Sequence, residues 1–585
     1  MDYKLLKEPR EDLTVIEQLL YNRDIKPEYI PAFLDPLVGK EYPTDLLDNI
    51  QEAAKVLIKA IIHQQNIYIQ VDSDCDGYTS AATLINYLYA VFPAYTATHV
   101  RYGLHHKKIH GIDVNNIPED TGLVIAPDAS SNENDIHKML REKGIDVIVL
   151  DHHNAEYDTN DPAIIVNNQM CDYPNKYLSG VGIVYKFCQV LDNMIKCNKA
   201  DEFLDLVALG LLGDMMDVRE PETRKLIALG LSNVHNPFFV YMCRKNAFPM
   251  NNIIDTHGVT WFVVPYINAV TRVGSDTEKE LIFAAMLQQK AGELIPSTKQ
   301  GHAAGATELL VEQAIRVCAN IKRHQDDEKK EVVNSLKAKI EKEHLADEPV
   351  IIIKNINVSD DSPLRGITGL LANTIMSDYG KPTLILNETM DKDYGIIYSG
   401  SARTFEVAGV EDWRKFIEES GYAIFAQGHP AAFGVAFVPQ NLEAFGNFLR
   451  QKFGTKRFEK MYYVDYIWRF NDNKIPSTIE EIARYKDLWG QSAPEPLVAI
   501  QDIPVRTDTA FYMAKGTLKL QSQHLNYNCL KFSVPVEEYE AMLDKRITII
   551  GTCDINEFKG NRTPQIKIVD YIIEQNLPTW SIADF

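Results

Sequence analysis

Three short apolar runs, each ending in an acid, restrict this chain more than any other feature. Ile67-Tyr68-Ile69-Gln70-Val71 leads into Asp72, Asp74 and Asp76, and Leu123-Val124-Ile125-Ala126-Pro127 leads into Asp128. Ile145-Asp146-Val147-Ile148-Val149-Leu150 leads into Asp151-His152-His153-Asn154. Runs this short and this apolar read as strands buried on both faces. The segments between them are helical in spacing: Ala82, Ile85, Leu88 and Tyr89 within 79–91, and a polar stretch over 132–143. Alternation of strand and helix predicts a parallel sheet with right-handed crossovers. Such sheets bind ligands beyond the carboxyl ends of their strands, where all these acids fall. A fourth apolar stretch, 207–213, has helical or mixed periodicity and ends in Asp214.

Three carboxylates within five residues repel one another unless a cation lies among them. The pattern Asp72-x-Asp74-x-Asp76-Gly77 also opens an EF-hand loop, but position twelve of that loop is Thr83, not a bidentate Glu. The preceding segment also alternates like a strand, where an EF-hand needs a helix. Asp72, Asp74, Asp76, Asp128, His152 and Asp214 offer hard oxygens and one imidazole, a set that suits Mn²⁺ or Mg²⁺ better than structural zinc. Two divalent ions roughly 3.5–4 Å apart, bridged by a carboxylate, activate water and stabilise the leaving oxygen at phosphorus. Taken singly, an Asp cluster at a strand end can be only a capped turn, and His152-His153 only a pair of surface histidines. Four motifs on one sheet edge are not. Tyr78, Cys75 and Met215-Met216 read as packing.

In order and spacing, Asp72-x-Asp74-x-Asp76-Gly77, Pro127-Asp128, Asp151-His152-His153 and Gly213-Asp214 resemble the four motifs of the DHH phosphoesterase superfamily. Further segments narrow the resemblance to the RecJ family of single-strand-specific 5′ exonucleases. These are Leu20-Tyr21-Asn22-Arg23-Asp24-Ile25 with Phe33-Leu34-Asp35-Pro36, the run from Pro265 to Arg272, Arg365-Gly366-Ile367-Thr368-Gly369, Gly400-Ser401-Ala402-Arg403 and Gly428-His429-Pro430. The resemblance implies that Asp74, Asp76, Asp128, His152 and Asp214 hold two ions, with Asp128 as bridge and Asp72 a ligand or a supporting acid. Catalytic roles fall to Asp128, Asp151 and His153, the last facing the scissile phosphate. Ser401, Arg403, His429 and Arg272 would bind the terminal phosphate or adjacent backbone. Three departures touch the shape of the phosphate pocket: Gln427 for the first glycine of a Gly-Gly-His turn, Thr271 for a glycine before Arg272, and Ala129 where glycine or cysteine is frequent.

The implied fold is α/β: a parallel-sheet DHH domain, a long connecting helix, a smaller α/β DHH-associated domain and a C-terminal OB-like β-barrel. The expected division is an N-terminal helical segment (1–55), the DHH catalytic domain (56–240), a helical connector (241–350), the substrate-binding associated domain (351–458) and the OB-like domain (459–585). The connector should contain one long helix over 307–345, where Leu310, Ala314, Val317, Val333, Leu336 and Ile340 recur at three- and four-residue steps. Five β-type runs near 496–500, 517–520, 530–534, 547–550 and 565–569 fit a small barrel, with Tyr527, Phe532 and Phe558 as candidate base-stacking rings, at least one of them core. Leu488-Trp489-Gly490-Gln491 before Pro494 resembles the lead-in to the RecJ barrel.

The implied activity is metal-dependent 5′-to-3′ hydrolysis of single-stranded DNA in repair, recombination or replication. Two other classes compete: a phosphodiesterase for short oligonucleotides or cyclic dinucleotides, which needs no added barrel, and a non-catalytic DNA-binding scaffold, which has no use for a full set of acids. A helicase and a single-strand-binding protein are the expected companions, and a monomer the expected state. Eight cysteines without a C-x-x-C pair, no apolar leader and no membrane-length run predict a cytoplasmic protein with reduced thiols. A net charge of −21 argues against non-specific coating of nucleic acid, so positive charge must be local. Candidates are Arg101, Lys107, Lys108, Arg403, Lys545, Arg546, Lys559, Arg562 and Lys567, with a solvated surface charge the competing explanation for all but Arg403.

Overall fold

A computed structural model describes the chain except residues 106–109, 157–160, 302, 304, 356–366, 408–409, 455–457, 459, 514–515, 522–525, 559 and 577–585. It divides into two compact units, one of residues 27–329 with 490–493, the other of residues 1–26, 330–489 and 494–585.

The first unit is built on a five-stranded, wholly parallel sheet. Its strands are β1 (Asn66–Val71), β2 (Val100–Leu104), β3 (Thr121–Pro127), β4 (Asp146–Asp151) and β5 (Ile164–Asn167), in the order β2-β1-β3-β4-β5. The three apolar runs are the central strands, with Ile69, Val124, Ile125, Ile148 and Val149 at 0 % exposure. Helix α1 (Cys75–Val91) begins inside the acidic motif, because Asp74 caps it by accepting from the Gly77 amide at 3.0 Å. Helix α2 (Gly180–Ile195) and the apolar helix α3 (Leu204–Gly213) pack against α1. Buried on all sides, α3 has lost any single hydrophobic stripe, hence its mixed periodicity in sequence. Helices α4 (Val264–Val273) and α5 (Asp276–Met286) complete the part of this unit that bears on the site.

Helix α6 (Leu310–Lys342) runs unbroken for 33 residues, on the order of 50 Å at 1.5 Å per residue. In the second unit, β6 (Ile351–Lys354), β7 (Thr383–Asp391), β8 (Gly395–Arg403), β9 (Phe425–His429) and β10 (Ala432–Phe437) form a mixed sheet in the order β9-β10-β8-β7-β6. Helix α7 (Thr368–Tyr379) packs on it, as do α8 (Trp413–Glu419) and α9 (Pro439–Phe453), whose Trp413, Ile417, Phe445 and Leu449 share a core with Ala402, Phe433 and Val435.

The C-terminal part is a seven-stranded sheet. Its strands are β11 (Tyr466–Arg469), β12 (Leu497–Val505), β13 (Ala510–Met513), β14 (Thr517–Gln521), β15 (Asn528–Lys531), β16 (Lys545–Phe558) and β17 (Asn561–Asn576), in the order β11-β12-β16-β17-β15-β14-β13. Register shifts at Ile500/Ile503, Arg546/Ile547 and Ile550/Gly551 are irregularities of the kind that curve a sheet. Residues Asp2–Leu5 form a strand that pairs in parallel with Met461–Val464, and the buried Arg23 side chain pairs with Asp465 at 2.7 Å. Among the described residues no single helix is long and apolar enough to cross a membrane.

Candidate metal centre

The sheet edge collects the acids by three different backbone devices. Asp72 and Asp76 follow β1 and begin α1. Asp128 follows β3 with φ at +65°, a left-handed conformation that aspartate tolerates better than most residues, and its amide donates to Leu150 O at 2.8 Å. Asp214 ends α3. Gly180 is required beside them: a Cβ there would lie 2.5 Å from both Cβ and Oδ1 of Asp128.

His152 is the point of convergence. Its Nε2 lies 3.2 Å from Asp128 Oδ1, 3.4 Å from Asp214 Oδ2 and 4.0 Å from Asp76 Oδ2. Asp76, His152 and Asp214 bring ligand atoms within 4.8 Å of one another, and so do Asp72, Asp74 and Asp128. Asp128 Oδ1 and His152 Nε2 are buried without a hydrogen-bond partner. Burial beside other acids pushes the Asp128 carboxyl well above its usual range and raises Asp76 and Asp214 as well. Burial lowers His152 to about 4, which leaves a neutral imidazole. Orphaned acceptors, neutral imidazole and like-charged acids are the donor set of a divalent cation site, so these residues fit Mn²⁺ or Mg²⁺.

Several of the acids are also held by protein donors. Asp76 accepts from Ser179 Oγ at 2.9 Å and from the Gly180 and Val181 amides at 2.6 and 3.3 Å, at the positive end of α2. Asp151 accepts from the amides of Ser131, His152 and His153, and its Oδ1 is 2.8 Å from His153 Nδ1. Burial opposes its ionisation, yet the His153 and Ser131 contacts hold it below the usual carboxylate range. The Asp151 bond in turn raises His153 to about 9, giving a half-exposed imidazolium. Asp151 therefore orients His153 and has little capacity left for a metal. Asp72 Oδ2 lies 2.6 Å from His110 Nδ1, and Oδ1 lies 3.9 Å from the buried His105. Ser179, Ser131, His105 and His110 were not anticipated from the sequence; a serine opening a helix and histidines just beyond a strand end are the signals they carry.

Arg272 sits on α4, with no side-chain hydrogen bond or ion pair among the described residues. Burial lowers its pKa and the charge of Asp74 opposes that shift, which places the two within electrostatic reach. Thr271 is buried in the same helix and donates to Asn268 O at 3.4 Å, so its replacement of a glycine is absorbed by packing.

The other candidates belong to the second unit. Register pairs both Arg403 and His429 with Ala432, and both Ser401 and Gln427 with Gly434, so all four side chains share one sheet face. Ser401 Oγ is 2.9 Å from Thr368 Oγ1, and a Cβ at Gly369 would lie 2.4 Å from Arg403 Nη2, so the start of α7 borders this face. Arg365 and Gly366 lie outside the described residues. Of the C-terminal basic candidates, Arg562 pairs with Glu557 at 2.9 Å and Lys567 with Asp554 at 2.6 Å, while Arg546 donates to the backbone carbonyl of Asp502 at 3.2 Å. Arg101 likewise pairs with Asp120 at 2.7 Å, and Lys107, Lys108 and Lys559 lie outside the described residues. Of the candidate stacking rings, Tyr527 is core at 1 % exposure and Phe532 is 59 % exposed; the Phe558 side chain lies outside what is described.

The model of the DHH family N-terminal domain matches residues 66–211, and that of the RecJ OB domain matches residues 471–570. A protein of Bacillus subtilis strain 168, named as an SPbeta prophage-derived single-strand DNA-specific exonuclease, YorK, is 32 % identical over 97 % of this chain and 98 % of its own length. The single-stranded-DNA-specific exonuclease RecJ of the same organism is 24 % identical over 92 % of this chain and 64 % of its own. The crystal structure of Thermus thermophilus RecJ in complex with Mn²⁺ covers 98 % of this chain and 80 % of that one, with a TM-score of 0.67 at 18 % identity, a likeness of fold. Matched domains at both ends and a relative aligned over nearly its whole length lead to one conclusion: the chain belongs to the RecJ-like single-strand DNA-specific exonucleases of the DHH family.

Proposed function

We propose that the chain is a divalent-metal-dependent exonuclease that hydrolyses single-stranded DNA from its 5′ end. The observation that carries this reading is the meeting of His152 Nε2 with Asp128, Asp214 and Asp76 at 3.2, 3.4 and 4.0 Å, two of the atoms buried and unpartnered. Asp72, Asp74 and Asp128 would hold one ion, and Asp76, His152 and Asp214 a second. When bound, Mn²⁺ or Mg²⁺ supplies Lewis acidity that makes water a nucleophile at neutral pH and neutralises charge on phosphate oxygens.

The chain's own residues do the rest. Asp151 fixes His153 as a charged donor, and that donor faces the scissile phosphate. Asp72, engaged by His110, keeps the acidic loop in register. Ser401, Arg403 and His429 display hydroxyl, guanidinium and imidazole on one face, a set that suits a terminal phosphate. Arg272 neutralises backbone near the acids. Phe532 offers an exposed ring for a base. The names of the relatives specify single-strand DNA, and a domain of RecJ OB type supports a strand as substrate rather than a dinucleotide.

The test is digestion of a 5′-phosphorylated, 3′-labelled single strand of ~40 nucleotides with Mn²⁺, with EDTA, and with Asp128→Ala. A ladder of shortened 3′-labelled products that needs both metal and Asp128 is the expected result. Survival of the strand with cleavage of di- or trinucleotides would favour the short-oligonucleotide enzyme. Binding without cleavage would favour the scaffold.

A further inference from the structure

Beside the acids, but apart from them, the first unit contains a cavity of about 530 Å³, bounded by β1, β2 and the start of α5. Two buried polar atoms on residues that line it lack a hydrogen-bond partner among the described residues: Tyr68 Oη and His105 Nδ1, on residues 2 % and 3 % exposed. Each is left so by its surroundings. His105 Nε2 is taken up by the Gly111 carbonyl at 2.9 Å and Gln70 Nε2 at 3.3 Å, which leaves Nδ1 the uncommitted nitrogen of the ring. Tyr68 Oη extends over Gly103 of the neighbouring strand, where a Cβ would lie 2.0 Å from it. A side chain at 103 would occupy the space the hydroxyl now uses. Buried polar atoms without partners cost stability, so two on the lining of one cavity point to something that completes them.

The lining also limits what that something is. Tyr102 supplies ring surface, and Asn116 an amide. Asp276 and Glu280 outnumber Lys279, which disfavours a phosphate. A neutral, planar heterocycle with donors and acceptors on its edge satisfies all of these. The cavity is also coupled to the acidic edge. Tyr68, Gln70 and Asp72 alternate along one strand and its end, roughly 13 Å from first to last at 3.3 Å per residue. His105 lies 3.3 Å from Gln70 Nε2 and 3.9 Å from Asp72 Oδ1.

We propose that this cavity is a nucleobase subsite, in which Tyr68 Oη and His105 Nδ1 read the edge of one base close to the cleavage centre. The proposal rests on the nuclease reading. It assigns the enzyme a base contact that is separate from phosphate recognition on the Ser401 face and from stacking on the C-terminal sheet.

The experiment walks a single abasic residue through the first six positions of a 5′-phosphorylated single strand and measures initial cleavage rates for the wild type and for Tyr68→Phe. Wild type should show one position at which the abasic residue slows cleavage roughly five-fold or more. In Tyr68→Phe that dip should be largely lost, because the contact is already gone on the normal strand. Without DNA, Tyr68→Phe should melt about 2–4 °C higher, since it removes an unpartnered hydroxyl. A pocket for free nucleosides would instead give protection from melting by millimolar thymidine or deoxyadenosine, lost in Tyr68→Phe, with no positional dip; it would keep the base chemistry and change the source. A flat abasic profile without nucleoside protection, or a dip that Tyr68→Phe leaves intact, overturns the proposal. Failure of the wild type to cut the unmodified strand rejects the nuclease reading itself.

Discussion

Two clusters of buried charge, one in each unit, are completed in opposite ways. Around Asp465, 1 % exposed, every oxygen has a partner: Arg23 donates from Nη1 and Nη2 at 2.7 and 3.1 Å, Asn22 at 2.9 Å and the Leu497 amide at 3.2 Å. Arg23 also donates to the carbonyls of Leu19 and Pro494, both at 2.8 Å. Around His152, by contrast, the acids share one sign and Asp128 Oδ1 has no donor. Desolvation opposes burial of charge in both places. Where the fold itself supplies the compensation, the cluster is architecture; where it withholds it, the compensation comes from a ligand.

The largest expected effect breaks the open cluster. Asp128→Ala should lower cleavage in Mn²⁺ by about 10³-fold or more, beyond the 10²–10³ that loss of one stabilising donor costs, read as initial rates on a single strand. Next comes the closed cluster: Arg23→Ala leaves Asp465 buried without its counter-charge, held only by the neutral Asn22 and Leu497 donors, and denaturant unfolding should show a loss of about 3–5 kcal/mol, with calorimetric Mn²⁺ affinity unchanged. If Mn²⁺ affinity fell in parallel, the two clusters would not be independent. An intermediate case is the half-buried Arg403, whose loss should raise KM by about 10–100-fold and change kcat less; an equal fall in kcat would move it into the chemistry. The smallest effect sharpens the contrast most. In EDTA, Asp128→Asn, which keeps a side chain that tolerates the positive φ, should melt about 2–4 °C above wild type because one repelling acid is gone, and the order should reverse in saturating Mn²⁺, which stabilises wild type by about 2.7 kcal/mol at 100 times Kd. Without that crossover, the acids are not poised for a cation.

The central sheet was legible because strands buried on both faces leave uninterrupted apolar runs, and the acids at their ends were legible because each stands out against such a run. The edge strands were not. Val100–Leu104 carries Arg101 and Gly103, and Ile164–Asn167 is only four residues long, so neither breaks clearly from its flanks. Among the candidate site residues, the pattern marked Asp151 and the ligand-type acids alike; only the hydrogen bonds show Asp151 spent on His153 and three amides. Four of the five C-terminal runs fall on strands, the run at 530–534 shares only Leu530 and Lys531 with one, and Tyr466–Arg469 and Ala510–Met513 have too few residues to register. Spacing gave no access to Tyr527 against Phe532, since the two flank the strand Asn528–Lys531 rather than lie in it, and Tyr527 is buried with its hydroxyl donating to Phe470 O at 3.0 Å while Phe532 is exposed.

The strand Asp2–Leu5 pairs with Met461–Val464, so each of its residues is bound by one synthesised 459 positions later. At ~5–20 residues per second, the first strand waits roughly 25–90 s for its partner. Residues 27–329, nearly all of the unit that carries the acids, are complete well before that. Synthesis thus has a built-in order: the acid-bearing unit can close while the chain is still growing, and the unit that includes Asp2–Leu5 is sealed only once Met461–Val464 has been made.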